Sequence, residues 1–303
     1  TKPLEAQDPS FMIGSITPAI GKVINHGKAK YWGPMDANKS QSKGWHHHWS
    51  LKAGENTLEG QMLRLYMRLV TMARGDALDP AKLREEYIRF MTTKGSHNDT
   101  FACVYHRVFF ARFDEGVPPE DCPEGGEDIE TVESISTLIP VVLAAARRDP
   151  EQAENEIYQA VRVTRQCTRT VAGCGRMLSG ALRRILAGES LAEVAEAIQS
   201  ELAPDAGRLA SIIQGRKDPM ASTFLVESFP SLLHYMYRYE NSVKDLILAN
   251  VNSGGEQTHR GHILGALVGA AHGIKGIPQE WIDGLVSRRE IKKEVEAFVA
   301  AIC

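Results

Sequence analysis

Wherever apolar residues recur in this 303-residue chain, they recur almost always at the spacing of an α-helix. In residues 56–74, NTLEGQMLRLYMRLVTMAR, Leu58, Met62, Leu65, Leu69 and Met72 fall on one side, because positions three or four apart share a helix face. Asp79-Pro80 and Asp149-Pro150 are helix starts: the carboxylate caps free N–H groups, and proline suits a first turn that needs no donor. The first starts a helix through about Met91, and the second precedes EQAENEIYQAVRV. Further helices are expected near 98–113, 128–147, 168–187, 190–202, 206–214, 231–250, 258–273 and 288–302. No hairpin dipeptide separates alternating runs, so strands are not expected. The expectation is an all-α fold.

Two stretches interrupt the pattern. Residues 1–54 are rich in Gly, Lys, Asn, His and Trp and read as largely irregular, with one helix at 17–25. Residues 115–127, EGVPPEDCPEGGE, are kept from helix by Pro and Gly. Apolar helices flank both closely, so neither reads as a linker, and a single domain over 1–303 is expected. An apolar content of 43% supplies a large core for it.

A net charge of −3 with interleaved signs gives no support to a nucleic-acid or membrane-surface partner. No segment has the roughly 20 apolar residues of a membrane span. Five cysteines without a CxxC pair fit buried thiols in a reducing, intracellular compartment, most simply the cytoplasm, better than a disulfide frame or a zinc site. The chain has no initiator Met and no signal layout, which points to a start inside a longer precursor.

Four short stretches carry polar chemistry at helix starts. NSGGEQTHRG, residues 252–261, puts Glu256, Gln257, Thr258 and His259 after a double glycine. The helix that follows has Gly261, Gly265, Gly269 and Gly273 on one stripe. Each glycine costs up to about 1 kcal/mol against alanine in a helix, so the stripe reads first as close helix packing. Such packing also fixes a helix N-terminus, whose unpaired N–H groups suit a phosphate or carboxylate. AGENT, residues 53–57, is either an ordinary N-cap or a second polar site. In SHNDTF, residues 96–101, Asn98 or Asp99 is positioned to cap a helix in which His106 and Arg107 solvate one face. The run Asp128 to Ser134 is a carboxylate-rich first turn that a helix dipole explains. In His46-His47-His48, adjacent side chains diverge, so a surface run or one functional histidine is the simpler reading than a shared metal.

In this order the stretches carry a resemblance. AGENTLEGQM at 53–62, SHNDTFACVYHRVFF at 96–110, EDIETVESISTLIPVVL at 127–143, FLVESFPSLLHYMYRY at 224–239 and ANVNSGGEQTHRGHILGALVGAAHGIKGIPQEW at 249–281 are similar to the ADP-ribosylglycohydrolase family. Within it, they most resemble the branch of the jellyfish J1 crystallins and selenoprotein J. The resemblance covers roughly residues 40–300 and implies that family's many-helix fold. It also implies two Mg²⁺ ions held by aspartates of a Thr-Asp-Asp-Thr turn, matching Gly54-Glu55-Asn56-Thr57, and a Gly-Gly-Asp-Thr-Asp-Thr turn, matching Gly254-Gly255-Glu256-Gln257-Thr258-His259. In the family the ions activate water and hold the ribose of ADP-ribose. The family's early Gly-Asp-Ala helix has no match here, which leaves room for a protein partner that supplies it.

The departures concern the ligands. One aspartate of each turn is replaced by glutamate, Glu55 and Glu256, and the others by Asn56 and Thr258. Mg²⁺ demands near-octahedral oxygen geometry at about 2.0–2.1 Å, so Mg²⁺ is expected to be weak or absent. The expected metal set is Glu55, Asn56, Thr57, Glu256 and Thr258. Glu55, Glu256 and His259 are the expected catalytic residues, and His97, Asp99, Gly254, Gly255 and Arg260 the expected substrate contacts. Three readings follow: a diverged hydrolase of ADP-ribosyl bonds, a non-catalytic structural or binding protein like the crystallins of that branch, or a different ribosyl chemistry at His97, His259 and Glu256. Glu55 and Glu256 are expected within about 12 Å of each other across a shared cleft, the reach of two side chains at helix starts.

Overall fold

A computed structural model describes residues 48, 51–99, 101–123, 125, 126, 129–201 and 223–303. Among these the fold is all-α, with a single isolated bridge pairing Thr131 with Phe224. The helices are α1 (Leu58–Met72), α2 (Pro80–Thr92), α3 (Val104–Asp114), α4 (Glu133–Ser136) and α5 (Ile139–Ala145). They continue as α6 (Pro150–Val161), α7 (Arg169–Leu186), α8 (Leu191–Glu201), α9 (Leu225–Arg238), α10 (Val243–Asn252), α11 (Gln257–His272), α12 (Gln279–Asp283) and α13 (Arg288–Ile302). The expected helices at 17–25 and 206–214 lie outside the described residues.

The aspartate–proline starts hold: Asp79 accepts from the Ala81 N–H, and Asp149 from those of Glu151 and Gln152. Three expected helices are broken or shifted. The 231–250 helix is two, because α9 begins at Leu225 and stops at Tyr239, and Ser242 then caps α10 through the Asp245 N–H. The 128–147 helix is also two, α4 and α5, with Pro140 in the first turn of the second. The 98–113 helix starts only at Val104, because Asp99 is used elsewhere.

The core is one contiguous apolar cluster running from Leu58 and Met62 of α1 through Phe109, Val142 and Leu182 to Ile263 and Leu267 of α11. On α1 the buried stripe is rotated from the expected one. Tyr66 and Val70 are buried, whereas Met72 is 76% exposed. The rotation carries Glu59 inward, since 59, 62, 66 and 70 share a face.

Among the described residues, the glycine stripe of α11 does not make the close helix approach expected of it. Gly261 meets the Asn250 side chain, but among the described residues a Cβ at Gly265, Gly269 or Gly273 would meet nothing within 4 Å. Gly273 instead ends the helix at φ 63°, which a side chain would disfavour.

Candidate functional site

Four of the polar helix starts meet. Thr57 caps α1 by accepting from the Gly60 N–H. Ahead of it, Gly54 has φ 83° and passes so close to Gly284 that an added Cβ would overlap the Gly284 carbonyl. Its own carbonyl accepts from the Val286 N–H, so the turn is anchored to the C-terminal region. Glu55 accepts from the Lys52 N–H at 2.8 Å and from the Asn98 amide at 3.0 Å. Asp99 does not cap α3. It is buried, accepts from the Leu58 N–H at 2.7 Å and the Phe101 N–H at 3.1 Å, and faces His48 Nδ1 at 2.8 Å. Of the histidine run, then, His48 has a defined place. His97 is buried with its ring tilted against Phe90. Glu55, Asn56, Thr57, Asp99 and His48 thus form one mouth around the start of α1.

The second turn lies at the start of α11. Gly254 and Gly255 both have positive φ, 69° and 59°, the left-handed region that glycine adopts without strain and that turns the chain sharply from α10 into α11. Arg260 is fully buried. It donates to the Asn250 side chain at 3.0 Å and to the Gly254 carbonyl at 2.7 Å, so it braces this turn from beneath. Thr258 is exposed, and Glu256 is half-buried. Glu256 meets His259 Nδ1 at 2.7 Å and accepts from the Thr223 hydroxyl at 3.4 Å.

The two turns are joined by a residue with no expected role, Glu59, in the first turn of α1. Glu59, Cys103 and His259 are all buried, with their ligand atoms within 4.8 Å of one another. His259 Nε2 lies 3.6 Å from Cys103 Sγ and 3.9 Å from Glu133 Oε2. Glu59 accepts from the Tyr105 hydroxyl at 2.8 Å and is 3.1 Å from His106 Nε2, whose Nδ1 is 2.7 Å from the Tyr87 hydroxyl. His106 and Arg107, expected to solvate a face, are both buried. Arg165 donates to Glu133 and Ser134 and lies 3.5 Å over the Tyr105 ring, a cation–π contact.

The electrostatics follow from this crowding. Burial alone would raise the Glu59 carboxyl, but the charge and hydrogen bond of His106, with His259 behind it, win and hold it well below the usual range. Burial would lower His259, yet the bond to Glu256 and the charges of Glu133 and Glu59 raise it. Glu256 is held low by its bond to His259 against burial. Burial and the two carboxylates push the Cys103 thiol well up, while burial beside His259 takes His262 down to about 4. The result is a buried imidazole hemmed in by three carboxylates. The N-termini of α1, α3 and α11, which carry partial positive charge, converge on it.

These residues do not present the oxygen set that two Mg²⁺ ions need. Glu55 already accepts two donors, Thr57 caps its helix, Glu256 is committed to His259, and Asn56 and Thr258 carry no charge. Glu59, Cys103 and Arg165 have no local signature in the sequence, and Glu133 is legible only as one carboxylate of a helix's first turn. Only the place of Glu59 on the stripe of Met62 and Tyr66, a carboxylate on a buried face, marks it.

A sequence model of the ADP-ribosylglycohydrolase family matches residues 19–303. An 82-residue stretch is 33% identical to the ADP-ribosyl-[dinitrogen reductase] glycohydrolase of Rhodospirillum rubrum, covering 26% of this chain and 28% of that protein. A solved structure titled an ADP-ribosylglycohydrolase-related protein complex superposes with a TM-score of 0.63 at 18% identity, over 94% of this chain and 95% of its own. That likeness is one of fold. Among the described residues no helix is long and apolar enough to cross a membrane.

Proposed function

The chain belongs to the ADP-ribosylglycohydrolase family, and from that premise we propose that it takes an ADP-ribosyl group between its two turns and hydrolyses the N- or O-glycosidic bond to it. The pyrophosphate lies over Gly254 and Gly255 at the start of α11, where N–H groups and the helix dipole favour an anion. The ribose faces the mouth, with Glu55 and Asn98 at its edge, and Glu256 holds His259 in register beneath it. Mg²⁺ contributes little to this binding.

The observation that carries the reading is His259, buried with Glu256, Glu133 and Glu59 around it. Burying ionised groups costs several kcal/mol each unless they are paired. A fold kept only for its shape gains nothing from such a set. The second reading, a non-catalytic protein with this fold like the crystallins, draws on the mouth, where Asp99 and Thr57 serve as helix caps.

Calorimetric titration of ADP-ribose, first with Mg²⁺ and then with EDTA, separates the two. Saturable binding in both buffers is expected. Glu256→Ala is expected to lower release of ADP-ribose from an ADP-ribosylated protein by about 10²-fold, the scale of losing a positioned acid–base group. No binding in either buffer overturns the proposal in favour of the structural reading. Binding that vanishes with EDTA overturns the minor role of metal.

A further inference from the structure

We propose that Glu59, Cys103 and His259, closed by Glu133, form a site for one zinc-class divalent ion buried between the two polar turns. The four residues come from α1, the start of α3, α11 and α4, as far as 200 positions apart, so no CxxC spacing announces them. His259 Nε2 and Cys103 Sγ are 3.6 Å apart. A tetrahedral zinc with bonds of about 2.3 Å to sulfur and about 2.0–2.1 Å to nitrogen holds two such atoms at about 3.5 Å. Glu133 Oε2 lies 3.9 Å from the same nitrogen, roughly half an ångström beyond the separation of two zinc ligands, so a turn of its side chain would complete the set. A thiolate and an imidazole select zinc-class metals over Mg²⁺, which takes oxygen.

The surroundings match those of a built metal site. The other ring nitrogen of His259 is bonded to Glu256 at 2.7 Å, the carboxylate–histidine arrangement that fixes a metal-binding imidazole. Glu59 is oriented by Tyr105 and His106, and Glu133 by Arg165. Charge also closes. The negative charges of Glu59, Glu133 and a Cys103 thiolate are met by a divalent ion and Arg165. Glu256, bonded to His259, has its side chain 33% exposed, so the cluster lies one hydrogen bond from solvent. On binding, a metal–sulfur bond replaces the Cys103 S–H, whose proton goes to solvent. His259 contributes the lone pair of Nε2, and any proton there leaves also, while Nδ1–H stays on Glu256.

The ion site shares His259 and Glu256 with the ADP-ribosyl reading, but it is tested without nucleotide. The full chain, purified without chelator from zinc-supplemented cells and dialysed, is expected to retain about one equivalent of zinc by plasma mass spectrometry. Co²⁺ added to chelator-stripped protein is expected to give a near-ultraviolet thiolate-to-metal absorption. Cys103→Ser should remove that band and Cys174→Ser should keep it. Glu256→Gln, which keeps the thiol, should weaken affinity by about 10–100-fold, and it carries the test if Cys103→Ser fails to fold by circular dichroism. No retained ion and no absorption, a band that survives Cys103→Ser, or unchanged affinity in Glu256→Gln would each overturn the site. ADP-ribose titrated into the stripped protein then reports on the nucleotide reading alone.

Discussion

Glu55 and Glu59 stand four positions apart on either side of the α1 N-cap, and they live in different worlds. Glu55 at the mouth takes its hydrogen bonds from a backbone N–H and an amide, close to Asp99, which caps the helix from another segment. Glu59 on the floor is shut in with a histidine, a tyrosine, a thiol and a second histidine. The mouth is made of groups that stabilise backbone. The floor is made of groups that stabilise one another, and those are the groups with chemistry to spend. Neighbouring positions in a motif can therefore divide between holding the fold and forming the reactive centre, and burial decides which does which.

The sharpest way to break that contrast is to unpair the floor. His106→Ala takes the hydrogen-bonded histidine from the buried Glu59 carboxylate, leaving it Tyr105 and the neighbouring Cys103 and His259, and takes the partner from Tyr87. Stability measured by urea unfolding is expected to fall by about 3–5 kcal/mol, the scale of orphaning one member of a buried charge pair. Adding Glu59→Gln to that variant should restore much of the loss, because the stranded charge is then gone. A loss below about 1 kcal/mol, or no rescue, would mean that Glu59 and His106 are not coupled through charge.

The mouth should respond less. Asp99→Ala removes an acceptor from the Leu58 and Phe101 N–H groups and from His48. About 1–3 kcal/mol is expected, mostly from the buried N–H left unpaired. Asp99→Asn, which keeps an acceptor, should recover part of it. A cost as large as that of His106→Ala would erase the distinction between mouth and floor.

The same division sets how much was legible in advance. Helix starts written in adjacent residues, such as Asp79-Pro80 and Asp149-Pro150, stand where the local pattern puts them. The two polar turns at Gly54–Thr57 and Gly254–His259 are likewise local, and both are at helix starts. What could not be read is anything settled by tertiary contact. Asp99 looks like a cap for the helix after it, but it caps α1 instead, 41 positions earlier at Leu58. Tyr239 to Ser242 breaks a helix that periodicity alone would continue. Cys103 and His259 meet across 156 positions, a distance at which no spacing rule operates.

The outer face of α1 supplies the smallest and most local test. There Glu294 of α13 receives Arg64 through Nε at 2.7 Å and Nη2 at 3.1 Å, and Arg68 at 2.9 Å, which clamps the last helix onto the one that carries the site. Burial would raise the Glu294 carboxyl, but its bonds to Arg64 and Arg68 hold it below its ordinary value of 4.5. A carboxyl with a depressed folded pKa lends stability that is fully present above 4.5 and is lost as pH falls through the folded value. Glu294→Gln should therefore cost about 1 kcal/mol at pH 7, since the pair is bidentate but reached by solvent. The gap from the parent chain should close as pH falls well below 4.5. Because Glu59 and His106 are buried and Glu294 is partly exposed, added salt should shrink this gap and leave the His106→Ala loss nearly unchanged. A gap at Glu294 that persists in strong acid would mean that α13 is held by packing of its apolar face, and that the clamp contributes shape rather than charge.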